Sequence, residues 1–251
     1  MSELCQFDKS PLVLGAGMSL TAVIELFEDM GSNPKYEYCQ VLADHIKKVA
    51  HPSVRNVGTI GGNLMLKHQY PDFPSDIFLL LETAGATLVI RNPDNSETIS
   101  SPVEFLTLNM TKKILYKIQM PEISGKVFTY KTMQRHINTH AYVNAGLNIR
   151  LNSDFIVQTK PVLVFGGISP DFVHAKNTEN YLVGKDLKDG NVLKMALETL
   201  KNETVPDQNP VMASPEYRIH LVQALFYRVS VYFGAKIQIL RIMIVDPSER
   251  L

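Results

Sequence analysis

The stretch Val54-Arg55-Asn56-Val57-Gly58-Thr59-Ile60-Gly61-Gly62-Asn63 places three glycines within five residues, between two segments of helical periodicity. Glycine has no Cβ, so the backbone there can turn sharply and come close to a bound group. Successive amides in such a turn can form a concave nest for an anion. Thr59 and Asn63 add short polar groups suited to a phosphate or a sugar. Glycine clusters are also the ordinary punctuation of a tight turn, and taken alone the stretch leaves both readings open.

Upstream, residues 11–15 form a short apolar run of strand type. Gly15-Ala16-Gly17 then leads into Leu20, Val23, Ile24 and Phe27 at helical spacing, with Ser19 as the N-cap and Gly31 as the stop. This imitates a dinucleotide fingerprint, but the third glycine would fall at Leu20, whose side chain would occupy the close helix–strand contact. Pro34 stands near the start of a second helix, with Val41, Leu42, Ile46 and Val49 recurring toward Ala50. Downstream, Ser75 reads as an N-cap and Asp76 as the first residue of a buried helix that ends at Gly85. An acid there complements the helix dipole, an effect of roughly 0.3–1 kcal/mol.

Strands are expected at residues 87–90, 114–120, 128–133, 142–151 and 155–164, with a turn at Asn92-Pro93-Asp94 and a short helix from Pro102. Amphipathic helices are expected at 192–200 and after Ser214-Pro215-Glu216. Strands that follow one another after an early helical region give an α+β class. The shift falls near Met120-Pro121-Glu122-Ile123-Ser124-Gly125, read as a subdomain junction.

Composition narrows the function. The 251 residues carry 25 basic and 25 acidic side chains, so no whole-chain charge argues for nucleic acid or an anionic membrane surface. Cys5 and Cys39 form no C-x-x-C, which leaves disulfide, zinc and iron–sulfur frameworks without ligands and fits a reduced, cytoplasmic setting. No apolar run reaches the roughly 20 residues of a spanning helix. His136 and His140 have the i, i+4 spacing of a metal helix but lack the intervening glutamate, so no metal site is expected.

Several words stand in a fixed order: Ala50-His51-x-x-Val54-Arg55-Asn56-x-Gly58-Thr59-Ile60-Gly61-Gly62-Asn63, Pro74-Ser75-Asp76, Tyr130-Lys131-x-x-x-Arg135, His140-Ala141-Tyr142-Val143-Asn144-Ala145-Gly146, Val164-Phe165-Gly166-Gly167-Ile168 and Ser214-Pro215-Glu216-Tyr217-Arg218. Together they resemble the FAD-binding domain of the molybdenum hydroxylases, the xanthine dehydrogenase and aldehyde oxidase family, with wording on the aldehyde oxidase side. The resemblance implies a two-subdomain flavin fold. Residues 1–120 would be the FAD-binding subdomain, expected to lack the family's earlier diphosphate-cradling strand and loop. Residues 121–233 would resemble the CO dehydrogenase flavoprotein C-terminal domain, and 234–251 would be a divergent tail.

The cofactor implied is FAD. Its sugar–phosphate part falls to Val49, Ala50, Thr59, Gly61, Gly62 and Asn63, with Asp76 on a sugar or ribityl hydroxyl, Leu115, most simply a core residue of its strand, also packing on the flavin ring, and Lys131 nearby. Val49 is smaller than the residue usual at its position. No catalytic residue is expected in this chain. The implied function is an electron-transfer domain that passes electrons from iron–sulfur clusters to oxygen or NAD, partnered by iron–sulfur and molybdenum cofactor domains absent here and, on the same expectation, by a second copy in a homodimer. The alternative is a non-catalytic partial fragment that keeps the fold for interaction only.

Overall fold

Helices dominate the start of the chain, strands its middle and helices again its end. The computed structural model describes residues 11–133, 140–170, 172–208 and 213–234. Cys5, Arg135, His136 and the tail residues 235–251 lie outside the described residues. The first half holds β1 (Leu12–Gly15), α1 (Leu20–Met30), α2 (Tyr38–Ile46), α3 (Pro52–Val57), α4 (Ile60–Gln69), α5 (Asp76–Ala84), β2 (Thr87–Arg91), β3 (Glu97–Ser100), α6 (Pro102–Phe105) and β4 (Ile114–Met120). The second holds β5 (Lys126–Met133), β6 (Ala141–Ile149), β7 (Val162–Gly166), β8 (Val173–His174), α7 (Lys176–Leu182), α8 (Gly190–Glu203) and α9 (Pro215–Tyr232). The strands make two four-stranded antiparallel sheets, ordered β1-β4-β2-β3 and β5-β6-β7-β8.

The expected caps form. Ser19 Oγ accepts from Ala22 N at 3.1 Å and Ser75 Oγ from Phe78 N at 3.0 Å, while Gly85 ends α5 in the left-handed region at φ 67°. Two expectations change. The glycine stretch is not a loop but a helix, a two-residue break and a second helix: Pro52 opens α3, and Thr59, extended at φ −100°, caps α4 through Oγ1. The strand expected from 155 starts at Val162 instead, because Phe155 takes φ 65° and turns the chain.

Each sheet has its own apolar core, the first around Phe27, Leu42, Phe78 and Ile118, the second around Val143, Phe165, Leu197 and Phe226. Helix α5 lies where the two halves meet. Its run Ile77-Phe78-Leu79-Leu80-Leu81 is buried all round, as a helix apolar on every face must be. The contact is close: a Cβ at Gly146 of β6 would run into the Thr83 hydroxyl of α5, so only glycine seats the strand there. Gly166 makes room in the same way for the Asn144 side chain, and Gly167 for the Tyr142 carbonyl. Arg218 of α9, 2% exposed, donates to the carbonyls of Gly167 (3.1 Å) and Ile168 (2.7 Å) and to Asp207 Oδ1 (2.7 Å). The words at 140–146, 164–168 and 214–218 thus meet in space. Among the described residues no helix is long and apolar enough to cross a membrane.

Candidate cofactor cleft

After α2 the chain runs through Val49 and Ala50 to form one wall of a cleft. Ala50 is left-handed at φ 50°, which costs a non-glycine residue roughly 1–2 kcal/mol. Arg55 holds it in place. Its Nη1 converges on the carbonyls of Lys47 (3.2 Å), Val49 (2.8 Å) and Ala50 (2.7 Å), satisfying oxygens left open past the end of α2.

The first turn of α4 forms the floor, and here the expected anion nest does not appear. The amides of Ile60, Gly61 and Asn63 donate to the carbonyls of Met18 (2.9 Å), Ala16 (2.8 Å) and Thr59 (3.0 Å), and that of Gly62 to Thr59 Oγ1 (2.9 Å). They are engaged inside the fold. Gly61 is required by this docking, since a Cβ there would stand 2.6 Å from the Ala16 carbonyl oxygen. Gly62 is different: a Cβ would meet Thr59 Oγ1 at 2.9 Å and nothing else within 4 Å, so its open side belongs to the cleft that it lines.

The third component is a buried carboxylate. Asp76, at the N-terminus of α5 and 6% exposed, has Oδ1 within 3.2 Å of His45 Nε2 and 2.8 Å of Asn144 Nδ2, while Oδ2 accepts from Lys131 Nζ at 2.8 Å. Lys131 Nζ also donates to the Lys48 carbonyl at 3.2 Å. Burial alone would push the Asp76 carboxyl up, but the hydrogen bond from His45 and the Lys131 ammonium outweigh it and hold it well below the usual carboxylate range. An ionised carboxylate only accepts, so the proton on His45 sits on Nε2. One side chain thereby ties α2 and α5 of the first half to β5 and β6 of the second.

The cleft has a volume of about 410 Å³, within the size range of small-molecule sites. Leu20, Val49, Val54, Leu66, Phe73 and Pro74 give it apolar walls, and Thr59, Asn63, Asp76, Lys131 and His140 place polar groups among them. An apolar slot with a hydroxyl, an amide, a carboxylate and one cation suits FAD, whose ring needs apolar surface while its sugar and phosphates need hydrogen bonds. The open face of Gly62 lets such a group approach the backbone. Of the expected contacts, Val49, Ala50, Thr59, Gly62, Asn63, Asp76 and Lys131 all line this cleft. Gly61 does not, because it is turned beneath Ala16. Leu115 does not either; on β4 opposite Ile90 it is packed into the first core, 6% exposed.

Sequence reasoning missed His45, Asn144 and Arg55. His45 had a signal, since Leu42, His45, Ile46 and Val49 follow the i, i+3, i+4, i+7 spacing of a buried face. Asn144 and Arg55 stand in the ordered words, but nothing in those words shows that their partners are Asp76, 68 residues away, and the carbonyls 5–8 residues upstream.

Known proteins share this architecture. Residues 2–123 match the family model described as FAD binding domain in molybdopterin dehydrogenase, and 128–231 that of the CO dehydrogenase flavoprotein C-terminal domain. An indole-3-acetaldehyde oxidase of Arabidopsis thaliana is 31% identical over 91% of this chain, and probable aldehyde oxidase 1 of Oryza sativa subsp. japonica is 30% identical over 90%. The chain spans only 17% of the length of each. Among solved structures, a carbon monoxide dehydrogenase from Hydrogenophaga pseudoflava superposes with a TM-score of 0.73 over 89% of this chain and 75% of its own, at 20% identity. Quinoline 2-oxidoreductase from Pseudomonas putida 86 gives 0.70 over 90% and 76%, at 21%.

Proposed function

Because the chain belongs to the molybdenum hydroxylase flavoprotein family, with an FAD-binding domain followed by a CO dehydrogenase flavoprotein C-terminal domain, we propose that it holds FAD in the cleft at Asp76 and serves as the electron-transfer domain of an aldehyde oxidase-like oxidoreductase. The observation that supports this most directly is the convergence of Val49, Ala50, Thr59, Gly62, Asn63, Asp76 and Lys131, from the segment after α2 through to β5, on one cleft. When bound, a flavin supplies the ability to accept electrons singly and release them in pairs, which joins one-electron carriers to oxygen or NAD.

The chain's own residues do the binding and the tuning. Lys131 brings one positive charge to the cleft, and Asp76, held ionised, presents Oδ2 beside it. Thr59 and Asn63 offer short polar groups, while Leu20, Val49, Val54 and Phe73 keep water from the apolar wall. The electron donors in this reading are iron–sulfur clusters of a partner domain, and the substrate is oxidised at a molybdenum centre elsewhere.

Titration of the purified chain with FAD, followed by the quenching of flavin fluorescence, tests the reading. Saturable binding with FAD preferred over riboflavin is expected. A folded protein that stays colourless in excess FAD would return the chain to a scaffold that keeps the fold for interaction only. Reoxidation of the dithionite-reduced complex by oxygen or by NAD, followed at the flavin absorption band, then identifies the acceptor.

A further inference from the structure

His45 lies in the apolar stripe of α2 with 0% of its side chain exposed, beside Leu42 and Ile46. Its Nε2 reaches Asp76 Oδ1 at 3.2 Å, and its Nδ1 is buried with no hydrogen-bond partner among the described residues. A half-satisfied ring in the interior lowers stability, so packing alone would be better served by an aliphatic residue at this position. Asp76 and Lys131 line the cleft and His45 does not; it stands behind the carboxylate.

We propose that His45 is a positioning residue for the flavin cleft, acting through Asp76; this rests on the flavin reading above. A carboxylate has about four lone-pair sites on two oxygens. His45 from α2 and Asn144 from β6 both take Oδ1, whereas Oδ2 has Lys131. The arrangement fixes the rotation of a group whose terminal torsion is otherwise broad. It turns Oδ2 toward the ammonium and leaves it room to accept from a hydroxyl of the ligand. Lys131 is aligned by the same carboxylate and by the Lys48 carbonyl, three residues beyond His45. Asn144 alone would leave Asp76 without its tie to α2, the helix whose extension carries Val49 and Ala50 into the wall.

The test is FAD affinity of the full chain, by fluorescence titration at a temperature where every variant is folded. Gln places its amide nitrogen near the Nε2 position, whereas Asn is too short and Leu cannot donate. His45→Gln is expected to bind within about twofold of wild type, and His45→Asn and His45→Leu roughly tenfold or more weakly, the scale of one hydrogen bond to a charged group. In an Asp76→Ala background the His45→Leu change is expected to add nothing, because the group it acts through is gone. If His45→Leu does not fold, the Gln and Asn variants carry the comparison. Equal affinity in all His45 variants that fold, or a His45→Leu or His45→Asn loss that persists undiminished without Asp76, overturns the proposal while leaving the flavin reading intact. No binding by the wild-type chain overturns both.

Discussion

An acid in the first turn of a helix is worth roughly 0.3–1 kcal/mol to that helix, but Asp76 does more because donors from α2, β5 and β6 converge on it. Removing it leaves the Lys131 ammonium, 3% exposed, without its counter-ion. Asp76→Ala is therefore expected to lower the unfolding free energy by roughly 3–5 kcal/mol, the usual effect of breaking a buried pair from one side. Urea denaturation measures it, and an unchanged midpoint would reduce Asp76 to a cap. The pH dependence carries the same signature. Because the folded carboxyl titrates below its unfolded value, its contribution is present above about pH 4 and lost as pH falls further. His174 has the opposite sign. Burial lowers its pKa, but hydrogen bonds to Glu179 (2.6 Å) and Glu82 (3.5 Å) prevail and raise it from 6.5 to about 9. Its contribution is full below pH 6.5 and is lost as pH rises through about 9. The melting temperature is expected to decline across that interval, and His174→Gln to flatten the decline.

Adjacent glycines in one helix do different work. Gly61 lets the first turn of α4 dock against Ala16, so Gly61→Ala must displace backbone, and a loss of about 1–3 kcal/mol is expected, as for overpacking in a core. A Cβ at Gly62 meets only the Thr59 hydroxyl, which must give way, so Gly62→Val is expected to leave the fold standing while FAD affinity falls, because the branched side chain fills the space where the ligand approaches. Thermal melts and flavin titrations of the two variants separate these outcomes; a Gly61→Ala protein as stable as wild type would show that the contact with Ala16 is slack. A similar constraint sits between α5 and β6, where Thr83 occupies the space that any side chain at Gly146 would need.

Over the whole molecule, each sheet has its own core, and the cleft lies where α1, α3, α4 and α5 of the first half meet β5 of the second. A ligand that touches both halves binds only when they are seated together, so it stabilises the folded chain by mass action. At 100 times its dissociation constant, FAD is expected to add about 2.7 kcal/mol. Calorimetry with increasing FAD is expected to show a rising melting temperature. No rise at a concentration that saturates fluorescence quenching would place the ligand outside the folded cleft.

Local patterns sufficed for the caps at Ser19, Ser75 and Ser214, the stop at Gly85 and most strands, because a capping hydroxyl, a left-handed glycine and a period-two run act within a few residues of themselves. The ordered words from Ala50 to Arg218 likewise sufficed for the family and for most of the cleft, since each word is a constraint on the backbone that only certain residues meet. What the amides of the glycine stretch do was decided by the tertiary structure: those of Ile60 and Gly61 donate to Met18 and Ala16, more than forty residues away in sequence, where a local reading left a tight turn and a nest for a phosphate both open. The absence of Leu115 from the cleft lining and the surroundings of His45 were decided in the same way. A side chain's surroundings depend on which elements fold against it, and the donors that gather on Asp76 come from 31, 55 and 68 residues away.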